Sequence, residues 1–124
     1  MKILLSIKPE YASKIFDGTK RYEYRRAIFK RTDVTTVVVY ASNPIRKVIG
    51  EFDIEEILHD DPQALWERTG EQAGITKTKF LDYFENKAKG FAISVKAARA
   101  YDTPISLDRL MVPCPPQSFM YLLF

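Results

Sequence analysis

Cysteine is almost missing from this chain of 124 residues, with Cys114 the only one. A lone thiol closes no internal disulfide and builds no cysteine-based metal site. This usage fits a reducing compartment, and the cytoplasm is the expected location. Long apolar runs are missing as well. No stretch approaches the roughly 18 apolar residues of a membrane-spanning helix, so no membrane association is expected. The first residues, Met1 to Lys8, form a short apolar run broken by Ser6 and followed by Pro9-Glu10. A signal peptide needs roughly 7–15 apolar residues and a small-residue cleavage site, so this run reads as a first β-strand. Histidine occurs once, as His59 beside Asp60-Asp61. With no second histidine and no cysteine cluster, neither a metal site nor a cofactor is implied.

What is present is enough for one domain spanning residues 1–124, since 46% of the residues are hydrophobic and a chain of this size buries about two-thirds of its unfolded surface. The net charge of +3 hides an uneven distribution. Residues 1–31 carry nine Lys/Arg against three acids, whereas residues 51–71 carry eight acids and one base, Arg68. A basic segment in a near-neutral domain attracts phosphates locally. The plainer reading is two solvated faces that partly neutralise one another.

Residues 2–8 read as a strand, and Pro9 suits the first turn of a helix carrying Ala12, Ile15 and Phe16 at helical spacing and ending at Asp17-Gly18. Tyr22 to Arg26 alternates with period two, and Val34 to Ala41 is dense in β-branched residues. Lys47 to Leu58 alternates again, with Gly50 marking a bulge or a close backbone approach. Asp61-Pro62 opens a helix that Gly70 closes, a second helix starts near Thr76, and Phe91 to Val95 is a further strand. The segment from Ile105 to Val112 has no clear type. Phe119 to Phe124 is an apolar tail that packs back onto the sheet or docks a partner. This order predicts an α+β fold with a strongly curved sheet, and excludes a doubly wound parallel one.

The stretch Gly18-Thr19-Lys20-Arg21-Tyr22-Glu23-Tyr24-Arg25 carries the chemistry. A helix end turns sharply into a strand, on which Glu23 and Arg25 project to one face. Lys20 stands at the mouth of that strand, able to swing over the same site. Lys20 and Arg25 together suit a phosphate, Arg25 binding two oxygens at once, while Glu23 orients them or accepts a proton. Tyr22 and Tyr24 project to the opposite face, to stack on bases or to fill the core. Lys8, Arg21 and Arg26 add charge around this segment. The candidate ligand-binding set is therefore Lys8, Lys20, Arg21, Tyr22, Glu23, Arg25 and Arg26, with Lys20 and Glu23 catalytic if the chain is an enzyme. A structural ion-pair network pinning the turn is the alternative.

Gly18, Lys20, Glu23 and Arg25 also match the G-x-K-x-x-E-x-R signature of the ASCH domain family, in the PUA-like superfamily. The surroundings resemble that family too, in Leu5-Ser6-Ile7-Lys8-Pro9, Tyr40-Ala41-Ser42, Ile49-Gly50-Glu51-Phe52 and Pro115-Pro116-Gln117-Ser118-Phe119. The resemblance implies a curved, PUA-like mixed β-barrel with peripheral helices and a cleft lined by the motif. It implies RNA or a nucleotide-like molecule as the ligand. It also implies an alternative activity, since some ASCH proteins are amide hydrolases of acylated cytidine nucleosides that use a lysine, a threonine and a glutamate. Lys20 sits where that lysine sits. Glu23 takes the position of the attacking threonine, and a carboxylate is a poor substitute for an activated hydroxyl.

Other residues have simpler roles. His59 reads as a surface histidine at a strand end, Trp66 as a core residue, and Cys114 as a small buried hydrophobe without a basic neighbour to activate it.

Overall fold

The computed structural model describes residues 1–123, so Phe124 lies outside it. Six strands, β1 (Lys2–Ile7), β2 (Tyr22–Arg25), β3 (Thr36–Ala41), β4 (Lys47–Asp60), β5 (Gly90–Ile105) and β6 (Phe119–Leu122), form one sheet in the order β2-β5-β4-β3-β1-β6. Three helices accompany them: α1 (Pro9–Asp17), α2 (Pro62–Thr69) and α3 (Lys77–Tyr83). β1 runs parallel to β3, and the other pairings are antiparallel. The α+β expectation holds. The ladder is open, however: among the described residues no strand pairing joins the edge strands β2 and β6. The Arg25 guanidinium reaches across, donating to the carbonyl of Ser118, just before β6, at 3.1 Å.

Helix boundaries follow local chemistry. Gly18, in the left-handed conformation, ends α1. The Asp61 carboxylate accepts from the Ala64 N–H at the start of α2, and the Thr76 hydroxyl accepts from the Lys79 N–H at the start of α3. The untyped segment contains a short 3₁₀ turn, Leu107–Leu110. The apolar tail is strand β6, in register with β1, which leaves Leu123 exposed at its end.

β3 is buried at every position, because both faces of the sheet centre are covered. Ile3, Leu5, Ile7, Val37, Val39, Phe52, Ile93 and Val95 pack with Ala12 and Ile15 of α1 on one side. Leu4, Val38, Tyr40, Val48, Val112 and Leu122 pack on the other. A third cluster sets Leu65 and Phe80 of α2 and α3, with Phe84, against Tyr24, Leu58 and Ala92 at the β2-β5-β4 end. Trp66 packs against that cluster, as expected of a core residue.

Curvature comes from β4 and β5, whose pairing shifts register three times; each extra residue bends and twists the strand. Gly50 lies at the first shift, and a Cβ there would stand 2.6 Å from the Arg99 carbonyl oxygen and 2.6 Å from the Phe16 ring. Both expectations for Gly50, bulge and close approach, are met, and the contact seats α1 on the sheet. The two oppositely charged segments meet at Glu51, which accepts from Lys2 at 3.1 Å; Arg99 at 2.8 Å and the Tyr101 hydroxyl at 3.0 Å donate to the same carboxylate. Gly50→Ala should therefore lower the unfolding free energy by about 2 kcal/mol through overpacking. Urea denaturation measures this, and an unchanged midpoint would contradict the close approach.

Candidate functional site

The turn between α1 and β2 is held from both ends. The Lys20 N–H donates to the Lys14 carbonyl at 3.0 Å, the Arg21 N–H to the Gln72 carbonyl at 2.8 Å, and the Val95 N–H to the Arg21 carbonyl at 2.9 Å. This clamp turns the Lys20 side chain inward. The residue is 2% exposed, so it is a fixed, buried cation and not the swinging one expected at the strand mouth. Its ammonium donates to the Ala73 carbonyl at 2.7 Å and lies 4.8 Å from the Tyr24 ring centroid and 5.4 Å from that of Tyr11.

Gly74 makes that burial possible. It has φ +65°, and a Cβ there would lie 2.5 Å from Lys20 Cβ and 2.7 Å from Cγ, so only a hydrogen at this position lets the loop close over the lysine stem. Burial lowers the Lys20 pKa to about 8; the Glu23 charge opposes the shift and Lys14 adds to it. Burial likewise pushes the Tyr24 phenol up to about 12, against the effect of its 2.7 Å hydrogen bond with Thr69.

A cleft of about 560 Å³ opens beside this group between α1, the ends of β1 and β2, and α3. Lys20, Glu23 and Arg25 all line it. Glu23 is 7% exposed and accepts from Arg25 at 3.3 Å. Of the other residues singled out from sequence, Lys8 lines the cleft. Arg26 does not line it, and its guanidinium lies 4.9 Å from the ring centroid of Tyr83, which does. Arg21 borders a separate small hollow behind α1, and Tyr22 packs against the α2–α3 cluster. Tyr24 departs from strict alternation, since it is core and also lines the cleft. β2 is an edge strand, and the cleft wraps round its edge, touching both faces.

Sequence reasoning missed the remaining walls: Ser6, Ile7, Glu10 and Tyr11 on one side, and Ile75, Lys79, Asp82 and Tyr83 on the other. The spacing of Lys79, Asp82 and Tyr83, at i, i+3 and i+4, was a readable signal of one helix face, but nothing local says that it turns toward the motif. Among the described residues no cluster of His, Cys, Asp and Glu is arranged to hold a metal ion, and no helix is long and apolar enough to cross a membrane. His59 is exposed and stacks on Phe91 at 4.2 Å. Cys114 is exposed too, against the expectation of a buried thiol, because the proline-rich loop that holds it lies on the surface.

The family model of the ASCH domain matches residues 5–103, and the chain belongs to that family. An ASCH domain-containing ribonuclease of Zymomonas mobilis is 33% identical over 123 residues, covering 96% of this chain and 82% of that protein. The crystal structure of ASCH from Zymomonas mobilis matches with a TM-score of 0.90 at 33% identity, over 98% of this chain and 87% of that one. A large ribosomal subunit protein of Ureaplasma parvum is 32% identical over 124 residues, covering 97% of this chain but 39% of its own length.

A buried lysine with a lowered pKa is a charge the fold tolerates poorly, and the sign of its effect on stability follows. Below pH 8 it is protonated in both folded and unfolded chains. Between its folded value of about 8 and its ordinary value of 10.5, the unfolded chain holds the extra proton, so stability rises with pH. Lys20 should add about 2 kcal/mol to the stability of the wild type between pH 8 and pH 10, a rise absent from Lys20→Met. Parallel denaturation of the two proteins across that range gives the difference, and parallel curves would show that the ammonium is not desolvated.

Proposed function

We propose that the chain binds RNA in the cleft and cleaves it there. The observation that carries this reading is the convergence of a desolvated lysine, a carboxylate and a guanidinium on one cleft. The family relationship supports it, since the Zymomonas mobilis relative is named a ribonuclease and aligns over most of its length. Arg25 and Lys8 hold the non-bridging oxygens of one phosphate, the geometry at which a guanidinium excels. In the same reading the chain is one domain, and its curved sheet is a PUA-like barrel with a seam between β2 and β6. Arg25, bonded to Ser118 across that seam, then both ties the wall and grips the ligand.

Cleavage uses groups the chain itself supplies. The Glu23 carboxylate takes the proton of the ribose 2′-hydroxyl as the 2′-oxygen forms its bond to phosphorus. The bond from phosphorus to the 5′-oxygen breaks, and the Lys20 ammonium gives the leaving oxygen a proton. The products are a 2′,3′-cyclic phosphate and a 5′-hydroxyl. A lysine acid with a pKa near 8 is far better matched to neutral pH than an ordinary one. No observation favours the amide-hydrolase alternative. Glu23, which by the family resemblance takes the threonine's position, is engaged with Arg25, and the Ser6 hydroxyl on the cleft wall donates to the Pro116 carbonyl at 2.8 Å.

Two measurements test the proposal. Arg25→Ala combined with Lys8→Ala should weaken binding of a single-stranded oligonucleotide at least tenfold. The same pair should make its salt dependence shallower, by about 0.7 in log–log slope for each phosphate that is no longer neutralised; unchanged affinity in the folded double variant argues against the cleft. Lys20→Met should lower the cleavage rate by about 100-fold or more. The wild-type rate should fall as pH rises through 8, where the acid loses its proton, and a flat profile between pH 6 and pH 9 removes Lys20 from that role.

A further inference from the structure

We infer that Tyr83 is a stacking platform for an unpaired base, so that the guest of the cleft is a nucleotide of single-stranded RNA; the inference rests on the RNA reading above. The motif cations and the Tyr83 ring stand on opposite walls of the cleft. The ends of β1 and β2 bring Lys8 and Arg25 to one side, next to Lys20 and Glu23. Across from them α3 presents Tyr83 beside Ile75, with Lys79 and Asp82 on the same wall. A nucleotide spans such a cleft, with an anionic phosphate at the motif cations and a polarisable base at the ring.

The Tyr83 ring is braced before any guest arrives. The Arg26 guanidinium carbon lies 4.9 Å from its centroid, and the Phe84 ring meets it at 4.9 Å and 70°. The cation on the ring and the edge-on neighbour both hold it in place, so little side-chain entropy remains to be lost on binding. This arrangement also accounts for Arg26, a cation of the motif region that does not itself line the cleft. A volume of about 560 Å³ is in the range of pockets that enclose one small molecule, which accommodates one nucleotide and no paired duplex. A base held in a helix is stacked and hydrogen-bonded to its partner and must leave both to reach the ring. A base in a single strand is free to stack, and aromatic rings accept every base because each has a π-face.

Equilibrium binding of 2′-O-methyl oligonucleotides, which lack the attacking hydroxyl, tests this without turnover. The wild type should bind the single strand more tightly than the matching duplex, and an oligonucleotide with abasic riboses about tenfold more weakly. Y83L should lose a similar factor on the intact strand and nothing further on the abasic one, with its salt dependence unchanged; Y83F should restore the loss by returning the ring. Wild-type protein binding intact and abasic strands equally overturns the inference, and this arm does not depend on any variant folding. Loss of affinity in Arg25→Ala with none in Y83L overturns the stacking role and leaves the RNA reading standing. A wild type that binds none of these oligonucleotides overturns both.

Discussion

A positive charge held inside a small domain is the constraint on which this site depends. The Lys20 ammonium is removed from water, and a buried charge is tolerated only when polar or ionic partners replace its hydration. The partners come from three separate parts of the fold. The Ala73 carbonyl comes from the loop after α2, the Tyr11 ring from α1, and the Tyr24 ring and Glu23 carboxylate from β2. Gly74 supplies the absence of a side chain that lets this loop approach. The cost of desolvation is also what makes the lysine useful, because a destabilised ammonium gives up its proton readily near neutral pH.

The cleft occupies this place because β2 is short and at the edge of the sheet. An edge strand leaves one side unpaired, and here α1 and α3 stand beside that side without covering it. Strand alternation aims Glu23 and Arg25 at the opening. The long strands β4 and β5, bent at their register shifts, carry the sheet round until β6 brings Ser118 to within hydrogen-bonding distance of Arg25. Curvature far from the motif thus delivers a backbone carbonyl to it.

Much of this was legible from the chain alone, and the reason is local. Strand and helix periodicity, the Asp61 and Thr76 caps, and the glycine at 18 each act over a few residues, and they placed β1 to β4, the three helices and the start of β5. The rest of β5 and the pairing that makes β6 a strand were not read. Glu23 and Arg25 were readable as one face because a strand alternates. What the chain concealed is what depends on distant pairing. Nothing near Lys20 says that the loop at residues 73–74 will close over it, so an interior cation read as a mobile surface one. The α3 wall was invisible because Lys79, Asp82 and Tyr83 lie more than fifty residues from the motif. The split of the basic segment was equally hidden: Lys2 turns to Glu51, Arg31 to Asp33, and only some of the cations remain for the cleft.

The central claim is that Lys20 is a desolvated amine facing a phosphate site, and its own titration tests that most directly. In protein labelled with ¹³C-lysine, with the Lys20 Cε signal assigned from a Lys20→Arg sample, the account predicts a midpoint near 8 that moves upward when a dinucleotide brings its phosphate beside the ammonium. A midpoint at the ordinary lysine value of about 10.5, indifferent to added dinucleotide, would contradict it.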